Sequence, residues 1–522
     1  MQRKITPKRL VSYLGCGLFC LFVCVLAFWN RTLLLEPVTA FLRGEGGFTE
    51  MKSTVQSNYV GDRLRGKFEL ITLNGGYARL EGRSLYNGTQ RMTNGMLTST
   101  TPVQRDTTAF SDNVGRFCHY LQENGTPFLF VMTPHKLPLE DNLLPVGVTD
   151  KTNAVADQVL AELREKGVPT LDLRPEMSRT KELVEKYYYR TDHHWNVEGS
   201  LYAFQRIMET LKDFYPETKT NFIDSSLWEK TVIPDWWLGS HGQRVGALFG
   251  GVEDLDYYLP AFPTDMTRYS LGLWTCRGDF YQACMRDYML ENRDYMHLDN
   301  YMRYLGMGWS LTLHRNPRAE NRMHLMMIGD SYTLPVECFL STELTAIDMM
   351  DPRQYTYMRV VDYATLNAPD MVILMTYPGV LTSSYYDDYI DFGQGGQLQV
   401  EKETTVEQLI SSGTDGQHHY EVLPVRMEAG KSYVLTLDRV RVNAGDPAGA
   451  NVMVYRGEDQ IDLTIFNIEY GNEFGYRWGF QLPEDPTGED FELRFYAGVD
   501  GGTEGMELAY EGIRLQECVI RR

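Results

Sequence analysis

The sequence predicts an α/β fold: a doubly wound, mostly parallel sheet with an aromatic-rich insertion, followed by a C-terminal antiparallel β-sandwich. Three observations predict it. Apolar runs such as Pro127-Phe-Leu-Phe-Val-Met-Thr133 and the one within His324-Leu-Met-Met-Ile-Gly-Asp-Ser331 alternate with helical segments, the pattern of strands buried on both faces. Residues 216–320 interrupt that alternation with five of the eight Trp and little clean periodicity. After Gly396 the texture becomes short alternating strands such as Lys431-Ser-Tyr-Val-Leu-Thr-Leu437 and Phe491-Glu-Leu-Arg-Phe-Tyr496, punctuated by Gly, Asp and Asn.

At the N-terminus, Arg3, Lys4, Lys8 and Arg9 precede an uncharged apolar run from Leu10 to Trp29. As a helix it is about 30 Å long, the thickness of a hydrocarbon core. With the basic flank held in the cytoplasm, residues 1–30 read as a tail and signal anchor, and the bulk of the chain as extracytoplasmic. A cleaved signal peptide is the rival, but the run exceeds a usual h-region and no small-x-small site follows. Cys16, Cys20 and Cys24 share one face of this helix and read as packing residues, because no lipobox precedes them.

Residues 31–110 read as a stalk leading into short strands, with turn signals at Asn74-Gly75-Gly76, Asn87-Gly88 and Asn94-Gly95. The α/β domain is expected over 111–396. It takes helices at about Asp112–Glu123, Thr152–Lys166, Pro175–Lys186, Asn196–Tyr215 and Leu334–Ser341, and strands at Pro127–Thr133, Pro169–Leu173, His324–Ser331, Leu344–Met349 and Met371–Thr376. Within it, 216–320 is expected to be an insertion or lid, with Asp235-Trp236-Trp237 and Gly239-Ser240-His241-Gly242 as loop-borne cleft candidates. Residues 397–522 are the sandwich, similar to a carbohydrate-binding module. Glycan binding there would need exposed aromatics such as Tyr455, Tyr470, Trp478 or Tyr496 on one face.

Charge and cysteine usage exclude other classes. With 50 Lys+Arg against 70 Asp+Glu the formal charge is −20, and no basic stripe lies beyond the N-terminus, so nucleic acid is not the partner. Outside the apolar run the cysteines are Cys118, Cys276, Cys284, Cys338 and Cys518, odd in number and irregular in spacing, which is neither a disulfide scaffold nor a CxxC metal site. Cys276 and Cys284 are near enough in sequence to pair, or to remain thiols.

Two motifs carry chemistry. Ile328-Gly329-Asp330-Ser331 ends an apolar strand just before a helix, where an open parallel sheet binds its ligands. Thr191-Asp192-His193-His194-Trp195 precedes a helix, and Asp192 with His194 at i, i+2 converge if the segment is an irregular turn. A serine hydroxyl needs an imidazole base oriented by a carboxylate, and these residues supply all three groups. Helix capping by Asp, Ser or the histidines is the plainer alternative. Asp-His-His also offers three metal ligands, but no HxxxH or carboxylate cluster completes a sphere, so no metal and no cofactor is expected.

Together the motifs resemble the SGNH/GDSL hydrolase superfamily in the branch where Asp and His precede Ser. Asp192-His193-His194-Trp195 more narrowly resembles the DHHW-signature family, related to the alginate O-acetyltransferase proteins. Leu73-Asn74-Gly75-Gly76, Thr133-Pro134-His135-Lys136, Asp351-Pro352-Arg353 and Pro369-Asp370-Met371-Val372-Ile373 add to the resemblance, which covers roughly residues 70–380. It implies Ser331 as nucleophile, His194 as base and Asp192 as its orienter, since the related signature is Asp-x-His-Trp. His193, Trp195, Tyr332, Arg353, Lys136 and Tyr377 are the substrate-contact candidates, with a structural ion pair as the alternative for Arg353 and Lys136. No Asn matches the superfamily's oxyanion asparagine, and Thr376-Tyr377-Pro378-Gly379 occupies the post-strand site expected for it.

The function implied is an extracytoplasmic polysaccharide O-acetyltransferase, with a multi-spanning membrane O-acyltransferase as the acyl-supplying partner. A polysaccharide acetylesterase would use the same triad. A non-catalytic polysaccharide-binding or assembly protein is the reading from another class. A DHH-type phosphoesterase is disfavoured because its Asp-x-Asp metal positions are missing.

Overall fold

The structure, a computed structural model, describes residues 7–44, 46–60, 64–270, 276–286, 300–305, 310–355, 359–383, 397–406, 411–414, 419–442, 450–461, 463–470, 476–484, 490–497 and 508–521. Its central sheet takes β1 (Phe128–Met132), β2 (Thr170–Asp172), β3 (Met266–Ser270), β4 (Cys276–Gly278), β5 (Leu311–Arg315), β6 (Asn321–Ile328), β7 (Leu344–Met350) and β8 (Met371–Thr376). The order is β2-β1-β8-β6-β7-β5-β3-β4.

From β2 to β7 all neighbours are parallel. Their apolar runs are buried from both sides. Phe128, Phe130 and Met132 face one core with helices Thr108–Glu123, Thr152–Glu165 and Val360–Asn367. Leu129 and Val131 face a second core with helices Val197–Phe214 and Thr333–Leu340. This is period-two alternation between two helical layers, which is why such strands read as unbroken hydrophobic runs.

The other half of the sheet corrects the expectation for 216–320. β5, β3 and β4 continue the sheet antiparallel beyond β7. The segment is therefore partly sheet rather than wholly a lid. These strands are short and carry Thr, Arg and His, so they lack the apolar signature; an antiparallel neighbour also needs no crossover helix. Trp228 and Trp237 are buried, and Trp237 packs edge-on to Tyr189 with centroids 4.2 Å apart, so this Trp is core rather than cleft. Trp274 and Trp309 lie outside the described residues.

The stalk is helical: Arg31–Leu42, Phe48–Val60 and Lys67–Leu80 follow the first helix, Pro7–Trp29. Asn74-Gly75-Gly76 is thus mid-helix and not a turn. Two glycines are poor helix formers, but a Cβ on Gly75 would sit 1.9 Å from the Val245 carbonyl oxygen, so close packing on helix Ser240–Val245 requires the bare backbone. Asn87-Gly88 does turn a hairpin, with both φ angles positive (46° and 72°) as its tight loop demands. Among the described residues no single helix is long and apolar enough to cross a membrane. Cys20–Trp29 and Arg31–Leu42, bent by 55°, meet that length and composition together.

The C-terminal residues form two five-stranded antiparallel sheets. Trp478 and Tyr496 are 2% and 1% exposed, so they fill the core and offer no glycan platform. Tyr455 is half-buried under the Arg494 guanidinium, and the Tyr470 side chain lies outside the described residues. Cys276 and Cys284 are free, buried thiols rather than a disulfide.

Candidate active site

Ser331 leaves the carboxyl end of β6, immediately before helix Thr333–Leu340. Gly329 makes that exit possible, because a Cβ there would meet Thr333 at 2.7 Å and the Met375 carbonyl oxygen at 2.9 Å. Asp330 ties the turn together, accepting from the Tyr332 N–H at 3.0 Å and the Tyr377 N–H at 3.3 Å. Burial raises its pKa, opposed chiefly by the nearby Arg353 guanidinium.

The Asp192-His193-His194 segment is an irregular turn, and the capping alternative falls to Asn196. Its side chain accepts from the Gly199 N–H at 3.0 Å at the start of helix Val197–Phe214. The turn lets Asp192 fold back on its neighbour at i+2. Asp192 Oδ1 accepts from His194 N at 2.8 Å and His194 Nδ1 at 2.6 Å, and Oδ2 accepts from Ser240 N at 2.6 Å. With Nδ1 as donor, His194 Nε2 is left to face Ser331 Oγ at 2.7 Å. Burial of Asp192 would raise its pKa, yet the adjoining His194 and His193 and the hydrogen bonds hold it well below the usual carboxylate range. Gly239 approaches so closely that a Cβ would lie 2.4 Å from Asp192 Cβ.

His194 is clamped on both faces. The Tyr301 ring stacks on one side, 3.8 Å away and 4° from parallel, and the His193 ring lies 3.7 Å away on the other. Trp195 is fully buried and donates Nε1–H to the Tyr301 hydroxyl at 3.2 Å, so it supports this stack and does not reach the cleft.

The cleft above Ser331 has a volume of about 230 Å³, and its walls include His193, Tyr332, Arg353 and Tyr377 among the sequence candidates. Arg353 is held by two bonds to Asp351, at 2.9 and 2.6 Å. Lys136 is not in the cleft. It is buried, and Nζ donates to the backbone carbonyls of Leu97 at 2.8 Å, Arg190 at 3.3 Å and Asp192. Burial lowers its pKa to about 8 against the pull of Glu253 and Asp192. The ammonium thus ties together three backbone carbonyls, of which that of Arg190 also accepts from the Leu97 N–H at 2.8 Å.

His135, Ser99 and Thr101 also line the cleft. His135 sits in a motif the sequence displays, whereas nothing in the aperiodic segment around Tyr301 marks it. Ligand atoms of Asp192, His193 and His194 lie within 4.8 Å of one another. Both Asp192 oxygens, both Nδ1 atoms and His194 Nε2 are already committed to the hydrogen bonds above or to Ser240, which suits proton transfer better than a cation.

The parallel core and this serine-imidazole-carboxylate chain are similar to those of SGNH hydrolase-like proteins. Residues 97–223 match the family model described as SGNH hydrolase-like domain, acetyltransferase AlgX. The chain accordingly resembles the DHHW-signature, SGNH/GDSL-like proteins related to the alginate O-acetyltransferases. Solved structures similar to it include Bacillus cereus PatB1, 19% identical with a TM-score of 0.48 over 57% of this chain and 97% of that one. A DHHW family protein from Eubacterium siraeum is 15% identical, TM-score 0.47, over 60% and 98%. The O-acetyltransferase domain of Pseudomonas putida AlgJ is 12% identical, TM-score 0.36, over 58% and 98%. No curated protein matches.

Proposed function

We propose that the chain is a polysaccharide O-acetyltransferase working through a Ser331 acyl-enzyme. The observation that carries this is the unbroken Asp192–His194–Ser331 chain, 2.6 and 2.7 Å long at its two links, opening on a cleft. Ser331 Oγ attacks the donor carbonyl as His194 Nε2 takes its proton, and the Asp192 carboxylate stabilises the imidazolium that forms. The proton then passes to the leaving group. The Ser331 backbone N–H has no acceptor among the described residues, and the helix that follows points its positive end toward the developing oxyanion.

His193, Tyr332, Arg353 and Tyr377 would contact substrate. Residues 1–30 would anchor the chain with its N-terminus in the cytoplasm, 111–396 would be the catalytic domain, and 397–522 a packing module rather than a lectin. A membrane O-acyltransferase would deliver the acyl group. An acetylesterase differs only in admitting water to the acyl-enzyme.

A fluorophosphonate probe and p-nitrophenyl acetate test the reading. Ser331 should be labelled, and Ser331→Ala should abolish acetyl release with its circular dichroism unchanged. His194→Ala should fall nearly as far, since nucleophile and base act as one unit. Equal rates for wild type and both variants would discard the enzyme. Protease added outside intact cells should reach residues beyond 31; a protected C-terminus would discard the location.

A further inference from the structure

The first histidine of the signature, His193, is not part of the proton chain, yet it is more tightly specified than a loop residue needs to be. Its Nδ1 meets Ser240 Oγ at 2.8 Å, and the Asp192 carboxylate lies 3.6 Å from the same nitrogen. Negative charge beside Nδ1 favours the tautomer with the proton there, donated to Ser240, leaving a lone pair on Nε2. That nitrogen has no hydrogen-bond partner among the described residues and is not sealed from solvent; the side chain is 34% exposed and forms part of the cleft wall beside Ser331. Surrounding protein and the adjoining His194 lower the His193 pKa to about 3, so the lone pair persists at neutral pH.

The His193 ring in the cleft wall therefore lies with its centroid 3.7 Å from the buried His194 ring, tilted 37° to it, while His194 Nε2 reaches the cleft-lining Ser331 Oγ at 2.7 Å. We propose that His193 and His194 together seat a vicinal diol as the acyl acceptor, the inference resting on the acyl-enzyme reading above. One hydroxyl donates to His194 Nε2 and attacks; its neighbour donates to His193 Nε2 and fixes the angle of attack. In that step the attacking O–H bond breaks and its proton passes to His194. The new C–O ester bond forms, the acyl carbon–Ser331 Oγ bond breaks, and His194 returns the proton to Oγ. A single hydroxyl cannot satisfy both imidazoles, because it has one hydrogen. A mono-ol thus loses a contact that a 1,2-diol keeps, so His193 is an acceptor-specificity residue.

The test is a competition. Enzyme acetylated by p-nitrophenyl acetate is offered equimolar trans-1,2-cyclohexanediol and cyclohexanol, and the two acetate esters are quantified by gas chromatography. Wild type should favour the diol about tenfold per hydroxyl, the value of one hydrogen bond of about 1.4 kcal/mol. His193→Ala should bring the ratio to about one, and His193→Gln, whose amide oxygen also accepts, should keep most of the preference. The ratio is internal to each variant and independent of its overall rate. If His193→Ala does not fold, Ser240→Ala, which frees the ring, should lower the ratio instead. A wild-type ratio near one, release to water alone, or a His193→Ala or Ser240→Ala variant as selective as wild type overturns the diol seat. A wild type whose Ser331 is never acetylated overturns the acyl-enzyme itself, a separate outcome read by mass spectrometry of the serine peptide.

Discussion

Replacing Asp192 by Asn tests the proton chain at its most constrained member. The carboxylate accepts three hydrogen bonds, two on Oδ1 from His194 and one on Oδ2 from the Ser240 N–H. An amide has only one accepting atom. If its oxygen faces His194, its NH₂ confronts the Ser240 N–H, and that buried donor loses its partner at about 1–3 kcal/mol. If the amide turns over, NH₂ faces His194 Nδ1, the ring must protonate on Nε2, and the base can no longer take the serine proton. The first orientation weakens the fold and the second inverts the tautomer, which elsewhere costs about 10⁴ in turnover. Denaturant unfolding and acetyl release from p-nitrophenyl acetate measure the two separately. The pH dependence adds a control. Because the folded pKa of Asp192 lies well below the usual range, its contribution is complete above about 4 and is lost as pH falls through the depressed value. The stability gap between wild type and Asp192→Asn should therefore narrow in acid. A variant within threefold of wild-type activity and equally stable at neutral pH would refute the reasoning.

Three further outcomes follow from packing. Gly75→Ala should destabilise by about 2 kcal/mol through overlap with the Val245 carbonyl, although helix propensity alone predicts a gain; a raised melting temperature would deny the helix contact. Lys136→Met should cost about 3 kcal/mol by stripping a charged donor from three carbonyls. With the folded Lys136 pKa at about 8, the unfolded chain binds the extra proton above that value. The wild-type advantage should thus grow from about pH 8 to pH 10, and a flat difference would count against it. Trp478→Ala should cost about 4 kcal/mol of C-terminal stability as a core deletion; a loss under about 1 kcal/mol would return the residue to the surface.

What was legible in the chain was what local pattern encodes. The run into Gly329-Asp330-Ser331 announced a strand end, and Asp192 with His194 needed only an i, i+2 turn to meet. What escaped depends on distant partners. Gly75 reads as a turn until Val245 is known to lie against it. Lys136 reads as a substrate contact or an ion pair until three backbone carbonyls are found around its ammonium. β3, β4 and β5 carry polar residues at a sheet margin, where no apolar run is required. Ser240, expected in a loop, opens the helix Ser240–Val245, and its bond to Asp192 spans 48 positions, while Tyr301 belongs to a segment without period.

The residues of the proposed triad are also staggered along the chain, and that orders their assembly. The carboxylate and imidazole are two residues apart, Ser240 is 48 from Asp192, and Ser331 is 137 from His194. Closing the longer loop instead of the shorter costs only about 1 kcal/mol more, so the equilibrium barely registers the difference. The clock does. Ser331 reaches its partner only after β6 has been threaded between β7 and β8, non-local parallel pairings that form slowly. During refolding, helical signal should return before esterase activity. A chain caught between the two carries a primed imidazole with nothing to activate, chemically silent toward acyl donors until its central strand is home.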